Sequence, residues 1–282
     1  MTLRFDDMTE HEFRLIREVV NRHCGIWVPD QNRTILARKL SRLLEDARVE
    51  RFYDYYHLMK YGNGDDLERA IEAIVNNESY FFREVAQLHA LVELVRDARP
   101  NPRRAIRILS AGCSTGEEPY TIAMLLDNAG LFSAGKRVEI HGVDISARAL
   151  DKARAASYTS GSFRGAEGQY LDWYFKPVGG RLQLDEHLRR RVSFSRQNLR
   201  HPEQLGTLGM FDVVLCRNVI IYFDKPNKLR TIEGLTSILR EGGHIFMGHS
   251  ESLYSITNAL EMTQVKDAIA YRKPIEKAVG CP

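Results

Sequence analysis

Ile108-Leu109-Ser110-Ala111-Gly112-Cys113-Ser114-Thr115-Gly116-Glu117-Glu118-Pro119 decides the fold of this chain. An apolar strand runs into a turn of small residues that opens directly onto a helix. That layout builds a nucleotide pocket at the carboxyl edge of a parallel sheet. Two details say which nucleotide. A dinucleotide fold wants a second glycine where the backbone approaches the pyrophosphate, and that position holds Ser114. The helix start, which would otherwise attract phosphate, carries Glu117 and Glu118. Two carboxylates there suit the helix dipole and repel a pyrophosphate. The pocket is therefore predicted to take a nucleoside without phosphates, preferably a cationic one. S-adenosylmethionine, with its sulfonium and ammonium groups, has that chemistry, and an NAD-dependent oxidoreductase is disfavoured.

From Ala105 onward strands and helices alternate. Strands are predicted near Ala105–Ala111, Val138–Val143, Val192–Arg196, Phe211–Cys216 and His244–Gly248, giving a parallel sheet covered on both faces. A last pair near Met262–Val265 and Ala268–Arg272 is expected to form an antiparallel edge. Between them, Ser157–Arg191 is less regular, with Gly179-Gly180 and the alternation Arg181-Leu182-Gln183-Leu184. It reads as a small β insertion outside the main sheet, bounded at about residues 175–192.

Upstream, residues 1–75 read as helices only. Thr9 with Glu12 makes a capping box ahead of Phe13, Ile16, Val19 and Val20. Leu36, Leu40, Leu43 and Leu44 share one helical face, and Leu67, Ile71, Ile74 and Val75 repeat the spacing after Asp65-Asp66. Residues 76–104 hold the segment Asn76–Glu84, an amphipathic helix through Leu88, Leu91, Val92 and Val95, and the connector Arg99-Pro100-Asn101-Pro102-Arg103-Arg104. Residues 105–282 form the remaining domain.

Bulk properties narrow the function. The chain has 282 residues, 44% hydrophobic and 27% charged, as in an ordinary soluble globular protein. A net charge of +3 does not by itself imply nucleic acid. No apolar run approaches the ~20 residues that span a bilayer, and the amino terminus, with Asp6 and Asp7, does not read as a signal peptide. Cys24, Cys113, Cys216 and Cys281 are scattered without a CxxC pair, the pattern of reduced thiols in a cytoplasmic protein. No histidine spacing suggests a metal, and a monomer is expected.

Four motifs in order carry a resemblance: Asn76-Asn77-Glu78-Ser79-Tyr80-Phe81-Phe82-Arg83-Glu84, Ser114-Thr115-Gly116-Glu117-Glu118-Pro119-Tyr120, Cys216-Arg217-Asn218-Val219-Ile220-Ile221-Tyr222-Phe223 and Gly248-His249-Ser250-Glu251. Together they resemble the CheR family, chemotaxis receptor methyltransferases that esterify glutamates of bacterial chemoreceptors. The resemblance spans nearly the whole chain. It implies a class I S-adenosylmethionine-dependent methyltransferase: a doubly wound α/β fold with a mostly parallel sheet and an antiparallel end strand, a small all-α N-terminal domain and a small β insertion. It implies cofactor contacts from Asn77, Ser79, Arg83, Gly112, Glu118, Asp144, Asn198, Leu199, Asn218 and Val219. Ser79 stands where the family usually has threonine, which keeps the hydroxyl and loses a methyl.

Several of these residues also have an ordinary reading. Asp144 ends its strand where a ribose diol would sit, and with Ser146 it could equally cap the helix that follows. Glu118 faces the cofactor's cationic methionine end or merely complements a helix dipole. Arg83 and Tyr222 are the catalytic candidates, orienting a substrate carboxylate. Phe81 and Phe82 read as core, and Cys113 and Cys216 as small buried thiols without chemistry. Arg33, Arg38, Lys39 and Arg42 lie in a run with no acidic residue, a solvated face or a docking face for an acidic receptor helix bundle. Binding of a receptor C-terminal pentapeptide is not expected, because the Pro177-Val178-Gly179-Gly180 turn is short. The alternatives are a methyltransferase acting on a small molecule or nucleic acid, and a non-catalytic S-adenosylmethionine-binding signalling module.

Overall fold

The computed structural model describes residues 8–275 apart from Pro100, Pro102, Ala134 and Glu167. Asp6, Asp7, Cys281 and the two connector prolines therefore lie outside the described residues. Contacts divide the chain into two compact units. One runs up to Asn76 and includes Tyr222–Lys228; the other holds Asn77–Ile221 and the chain from Leu229.

The first unit contains α1 (Glu10–Cys24), α2 (Arg33–Ala47), α3 (Phe52–Tyr61) and α4 (Asp65–Ile74). The capping box of α1 forms: the Glu12 amide donates to the Thr9 hydroxyl (3.2 Å), and the Thr9 amide to Glu12 Oε2 (2.8 Å). Gly25, at φ +81°, ends the helix in a conformation that costs glycine little. Phe13, Ile16, Val20, Leu36, Leu40, Leu44, Tyr55 and Ile71 are buried, while Leu43 is half-buried. Tyr222–Lys228 returns to this unit from far along the chain. Ile26 bridges Phe223 antiparallel, Trp27 N donates to the Tyr222 carbonyl (2.8 Å), and Asn21 Nδ2 to Asp224 Oδ2 (2.9 Å). The boundary expected at residue 75 did not include this segment.

The second unit is built on β1 (Ile106–Ala111), β2 (Val138–Asp144), β6 (Val192–Arg196), β7 (Phe211–Cys216), β8 (Leu239–Met247), β9 (Glu261–Val265) and β10 (Ala268–Arg272). Its helices are α5 (Val85–Asp97), α6 (Glu117–Asn128), α7 (Ala147–Ala155), the short α8 (Gly168–Tyr174), α9 (Glu186–Arg189) and α10 (Pro202–Gly206), and most of α11 (Lys225–Ser237). The sheet order is β6-β2-β1-β7-β8-β10-β9. β1, β2, β6, β7 and β8 pair in parallel, and β10 runs antiparallel to both β8 and β9. Ile108, Leu109, Val214 and Leu215 are at 0% exposure, which is why these strands read as continuous apolar runs rather than alternations. β1 leads left to β2 and β7 leads right to β8, so the strand order reverses between β1 and β7, and their carboxyl ends mark the switch point where such sheets bind ligands. β8 starts earlier than its apolar core suggested, because Gly242-Gly243 lies inside it.

A separate three-stranded sheet, ordered β3-β5-β4, contains β3 (Ser157–Tyr158), β4 (Phe175–Val178) and β5 (Arg181–Leu184). The insertion was bounded at about residues 175–192 from sequence; its sheet starts at Ser157 and ends at Leu184, and Val192 belongs to β6 of the main sheet. A two-residue strand is too short to show a period of two. Among the described residues no helix is long and apolar enough to cross a membrane.

Candidate active site at the carboxyl edge of the sheet

The turn after β1 is held from several sides within the second unit. Gly112 N and Cys113 N both donate to the Val143 carbonyl (2.8 and 2.9 Å). Ser114, at φ +50°, donates its amide to Asp144 Oδ2 (2.8 Å) and its hydroxyl to the Asn77 carbonyl (2.8 Å). The other Asp144 oxygen accepts from Ser146 N (2.9 Å), while the Ser146 hydroxyl accepts from Ala149 N (3.0 Å). Ser146 is thus the N-cap of α7, and Asp144 fastens the end of β2 to the turn. At the start of α6, Glu117 is 2% exposed and accepts from the Thr115 and Ser162 hydroxyls. A helix start already filled by carboxylates suits a nucleoside and not a pyrophosphate.

Glu118 and Arg217 form the most buried ion pair described, with side chains 14% and 2% exposed. Arg217 Nε donates to Glu118 Oε2 (2.7 Å), and Ser110 Oγ donates to Glu118 Oε1 (2.6 Å). The guanidinium also donates to the carbonyls of Arg83 (2.7 Å) and Glu84 (3.1 Å) and to Gln87 Oε1 (3.0 Å). Arg217 therefore ties the Asn77–Glu84 segment to β7 and α6. Phe82 and Glu84 take positive φ there (62° and 50°), and Phe81 and Phe82 are buried. The Arg83 side chain lies over the Tyr80 ring (5.6 Å) and donates to the Glu78 carbonyl (3.4 Å).

Sequence reasoning gave Arg217 no role. The signal was present: a single arginine immediately after the apolar strand Phe211–Cys216, where a buried charge demands a partner.

At the ends of β7 and β8, Asn218 (φ +59°) donates Nδ2 to Glu84 Oε1 (3.2 Å). Its backbone, with that of Val219, is held by Glu251. Val219 lies against Gly112 so closely that a Cβ at residue 112 would come within 2.4 Å of Val219 Cγ2. Asn77, Gly112, Glu118, Asp144, Asn218 and Val219, with the backbone of Arg83, are thereby brought into one connected set. Asn198 and Leu199 are buried just after β6, with Asn198 Oδ1 accepting from Arg200 N (3.1 Å). Ser79 is half-buried in the segment after Asn77. Cys113 and Cys216 are fully buried, and burial, reinforced by neighbouring carboxylates, pushes both thiols well above their usual range, so they stay protonated.

Tyr222 belongs to the first unit, where its hydroxyl accepts from Asn76 Nδ2 (2.8 Å). On α2, Arg33, Arg38 and Arg42 are exposed. Lys39 is committed elsewhere: its Nζ donates to the Ile74 carbonyl (2.8 Å), and desolvation lowers its pKa.

The strand order, the antiparallel β10 and a turn after β1 that leads into a helix start carrying two carboxylates define a class I S-adenosylmethionine-dependent methyltransferase. Residues 77–269 match the family described as CheR methyltransferase, SAM binding domain, and residues 11–75 match CheR methyltransferase, all-alpha domain. The chain belongs to the CheR methyltransferase family. It is 32% identical over 271 residues to chemotaxis protein methyltransferase 2 of Vibrio cholerae, covering 95% of this chain and 94% of that one. It is 32% identical over 273 residues to chemotaxis protein methyltransferase 1 of Pseudomonas aeruginosa, covering 93% and 97%. A probable biofilm formation methyltransferase, WspC, of the same organism is 36% identical over 229 residues, covering 80% of this chain and 54% of that one.

Proposed function

We propose that this methyltransferase esterifies glutamate side chains in the cytoplasmic helical bundle of a chemoreceptor. The single observation that carries the reading is full-length similarity to chemotaxis methyltransferases, covering both the helical and the cofactor domain. When bound, S-adenosylmethionine would supply an electrophilic methyl, which a glutamate carboxylate would take in line as the methyl–sulfur bond breaks, with neutral S-adenosylhomocysteine as leaving group and a neutral methyl ester as product.

The residues of this chain have limited work to do. A glutamate with a reference pKa near ~4.3 is already ionised at neutral pH, so no general base is required. The carboxylate of Asp144, held by two backbone amides, is the group for the ribose hydroxyls. Glu118 keeps a negative charge near the methionine end, tempered by Arg217, and Asn198-Leu199 flank the base. Asn77, Ser79, Gly112, Asn218 and Val219 complete the cofactor contacts. Arg83 orients the incoming carboxylate without neutralising it, and Tyr222 is the second orienting group. Charge is lost toward the transition state, so a water-poor site favours the step, and alignment is the remaining contribution.

Docking to the acidic receptor bundle is assigned to Arg33, Arg38 and Arg42 of α2, with Lys39 in a supporting place. A C-terminal receptor peptide is not expected to be needed. β4, one of the two edges of the small sheet, carries Pro177, which has no amide to donate to an added strand, and the other edge, β3, is only two residues long. The β4–β5 turn is two glycines at φ +56° and +74°, with no further loop to grip a peptide. Similarity to WspC supports a second reading that differs only in the receptor: one serving biofilm formation in place of chemotaxis.

The test is incubation of receptor-containing membranes with methyl-tritiated S-adenosylmethionine and this protein, followed by mild base. Volatile labelled methanol supports a carboxyl ester. Label that survives base would refute it.

A further inference from the structure

The loop that leaves β7 turns from a strand into one short 3-10 turn, Ile220–Tyr222. A chain turning so abruptly strands several amides that neither strand nor helix can satisfy. One side chain takes them. Glu251, 9% exposed, accepts from Asn218 N (2.7 Å) and Gly248 N (2.8 Å) on Oε2, and from Val219 N (3.0 Å) and Ile221 N (3.1 Å) on Oε1. Two bonds on each oxygen use the acceptor capacity of an ionised carboxylate in full. Charge-assisted bonds of this kind are about twice as strong as neutral ones.

The surroundings are shaped for that carboxylate. A Cβ at Gly248 would fall 2.7 Å from Glu251 Oε2 and 2.8 Å from Asn218 N, so only glycine lets the ends of β7 and β8 close around it. Asn218 sits at φ +59°, a region that non-glycine residues keep only where their neighbours impose it. Its backbone is imposed by Glu251, and its side-chain amide by Glu84, whose other oxygen accepts from His249 N (3.2 Å). Val219, held by the same carboxylate, is the close neighbour of Gly112 in the turn after β1.

We infer that Glu251 is a positioning residue of the methyl-transfer site: it sets the backbone of Asn218 and Val219, and through them the cofactor's place at the switch point. This rests on the proposal that Asn218 and Val219 contact the cofactor. A glutamine at residue 251 keeps the shape but can accept on one side only. Its NH2 would face two amide donors, so the loop must shift or lose those bonds.

The experiment is a double-mutant cycle on S-adenosylhomocysteine affinity, read by isothermal titration with Glu251→Gln, Asn218→Ala and the pair, beside thermal melts. Each single variant is expected to bind roughly tenfold or more weakly. The pair is expected to lose less than the product of the two single losses, because Glu251 acts in part through Asn218. Wild-type-like affinity for Glu251→Gln, or losses that multiply in the pair, would overturn the proposal. A lowered melting temperature with unchanged affinity would overturn it too, since it marks a structural role alone. Should Glu251→Gln fail to fold, Glu251→Asp, which keeps the charge but reaches fewer amides, takes its place in the same cycle. The readout needs no methyl acceptor, so failure of the receptor reading leaves this result interpretable.

Discussion

Replacing Arg217 by methionine removes a cation whose side chain is 2% exposed and leaves the Glu118 carboxylate, 14% exposed, without its partner. It also withdraws the donors to the Arg83 and Glu84 carbonyls and to Gln87. Breaking a buried pair by removing one partner costs about 3–5 kcal/mol. Removing the second charge as well, with Glu118→Gln, ends the uncompensated burial. The pair of substitutions should therefore be less destabilising than the sum of the singles by about 1–3 kcal/mol. The chain has two compact units, so a single two-state transition is not assumed and one probe must report the second alone. Trp173 is the tryptophan of that unit, edge-on to Tyr170 at 5.8 Å. Its fluorescence in a Trp27→Phe background, followed through urea, gives the four free energies. S-adenosylhomocysteine affinity should fall in Arg217→Met, since the Arg83–Glu84 backbone loses its anchor. A loss below about 1 kcal/mol for Arg217→Met, or strict additivity in the pair, would refute the reasoning.

Asp144→Asn replaces one acceptor of the Ser114 and Ser146 amides by a donor, which should cost about 1–3 kcal/mol of stability and weaken S-adenosylhomocysteine binding; unchanged titration in a folded variant would remove Asp144 from the site. Tyr222→Phe should slow single-turnover methyl transfer at saturating cofactor while sparing cofactor affinity, and transfer at the parental rate would deny its hydroxyl an orienting role. Arg38→Glu with Arg42→Glu should weaken receptor methylation most at low salt and leave cofactor binding intact; normal methylation at every salt would make the face plain solvated surface. Burial lowers the pKa of His141 and His244 from the ordinary 6.5, so both take up protons less readily in the folded second unit than in the unfolded chain. Below about pH 6.5 the unfolded chain therefore binds more protons, and stability must fall as pH drops through that window. Urea midpoints of the second unit should show that fall, and His141→Gln should flatten it; a rise toward acid would contradict the assignment.

The parts of this structure legible in sequence were those encoded locally. The capping box at Thr9 and Glu12, the doubly buried strands and the turn from Gly112 to Gly116 each carry their own signal in a few adjacent residues. What escaped depends on distant or backbone partners. Tyr222–Lys228 joins the helical unit through the Ile26–Phe223 bridge, nearly 200 residues apart in the chain, and no periodicity records it. Glu251 is invisible as an anchor because its donors are backbone amides, which every residue but proline has. Arg217 was legible in principle, since a charge ending an apolar strand needs a partner, and Glu118 was already marked. Asp144 was left with two readings, ribose binding or capping α7 together with Ser146; the cap is Ser146, and the hold of Asp144 on the Ser114 and Ser146 amides had no signal in the sequence.

The most direct measurement is mass-spectrometric mapping of a host chemoreceptor after incubation with this protein and S-adenosylmethionine. The account expects a single added methyl on each of a few glutamates in the cytoplasmic helical bundle, absent when cofactor is omitted and strongly reduced with Arg83→Ala. Methyl groups found only on other residue types, or an unmodified receptor across the host's full set, would contradict it.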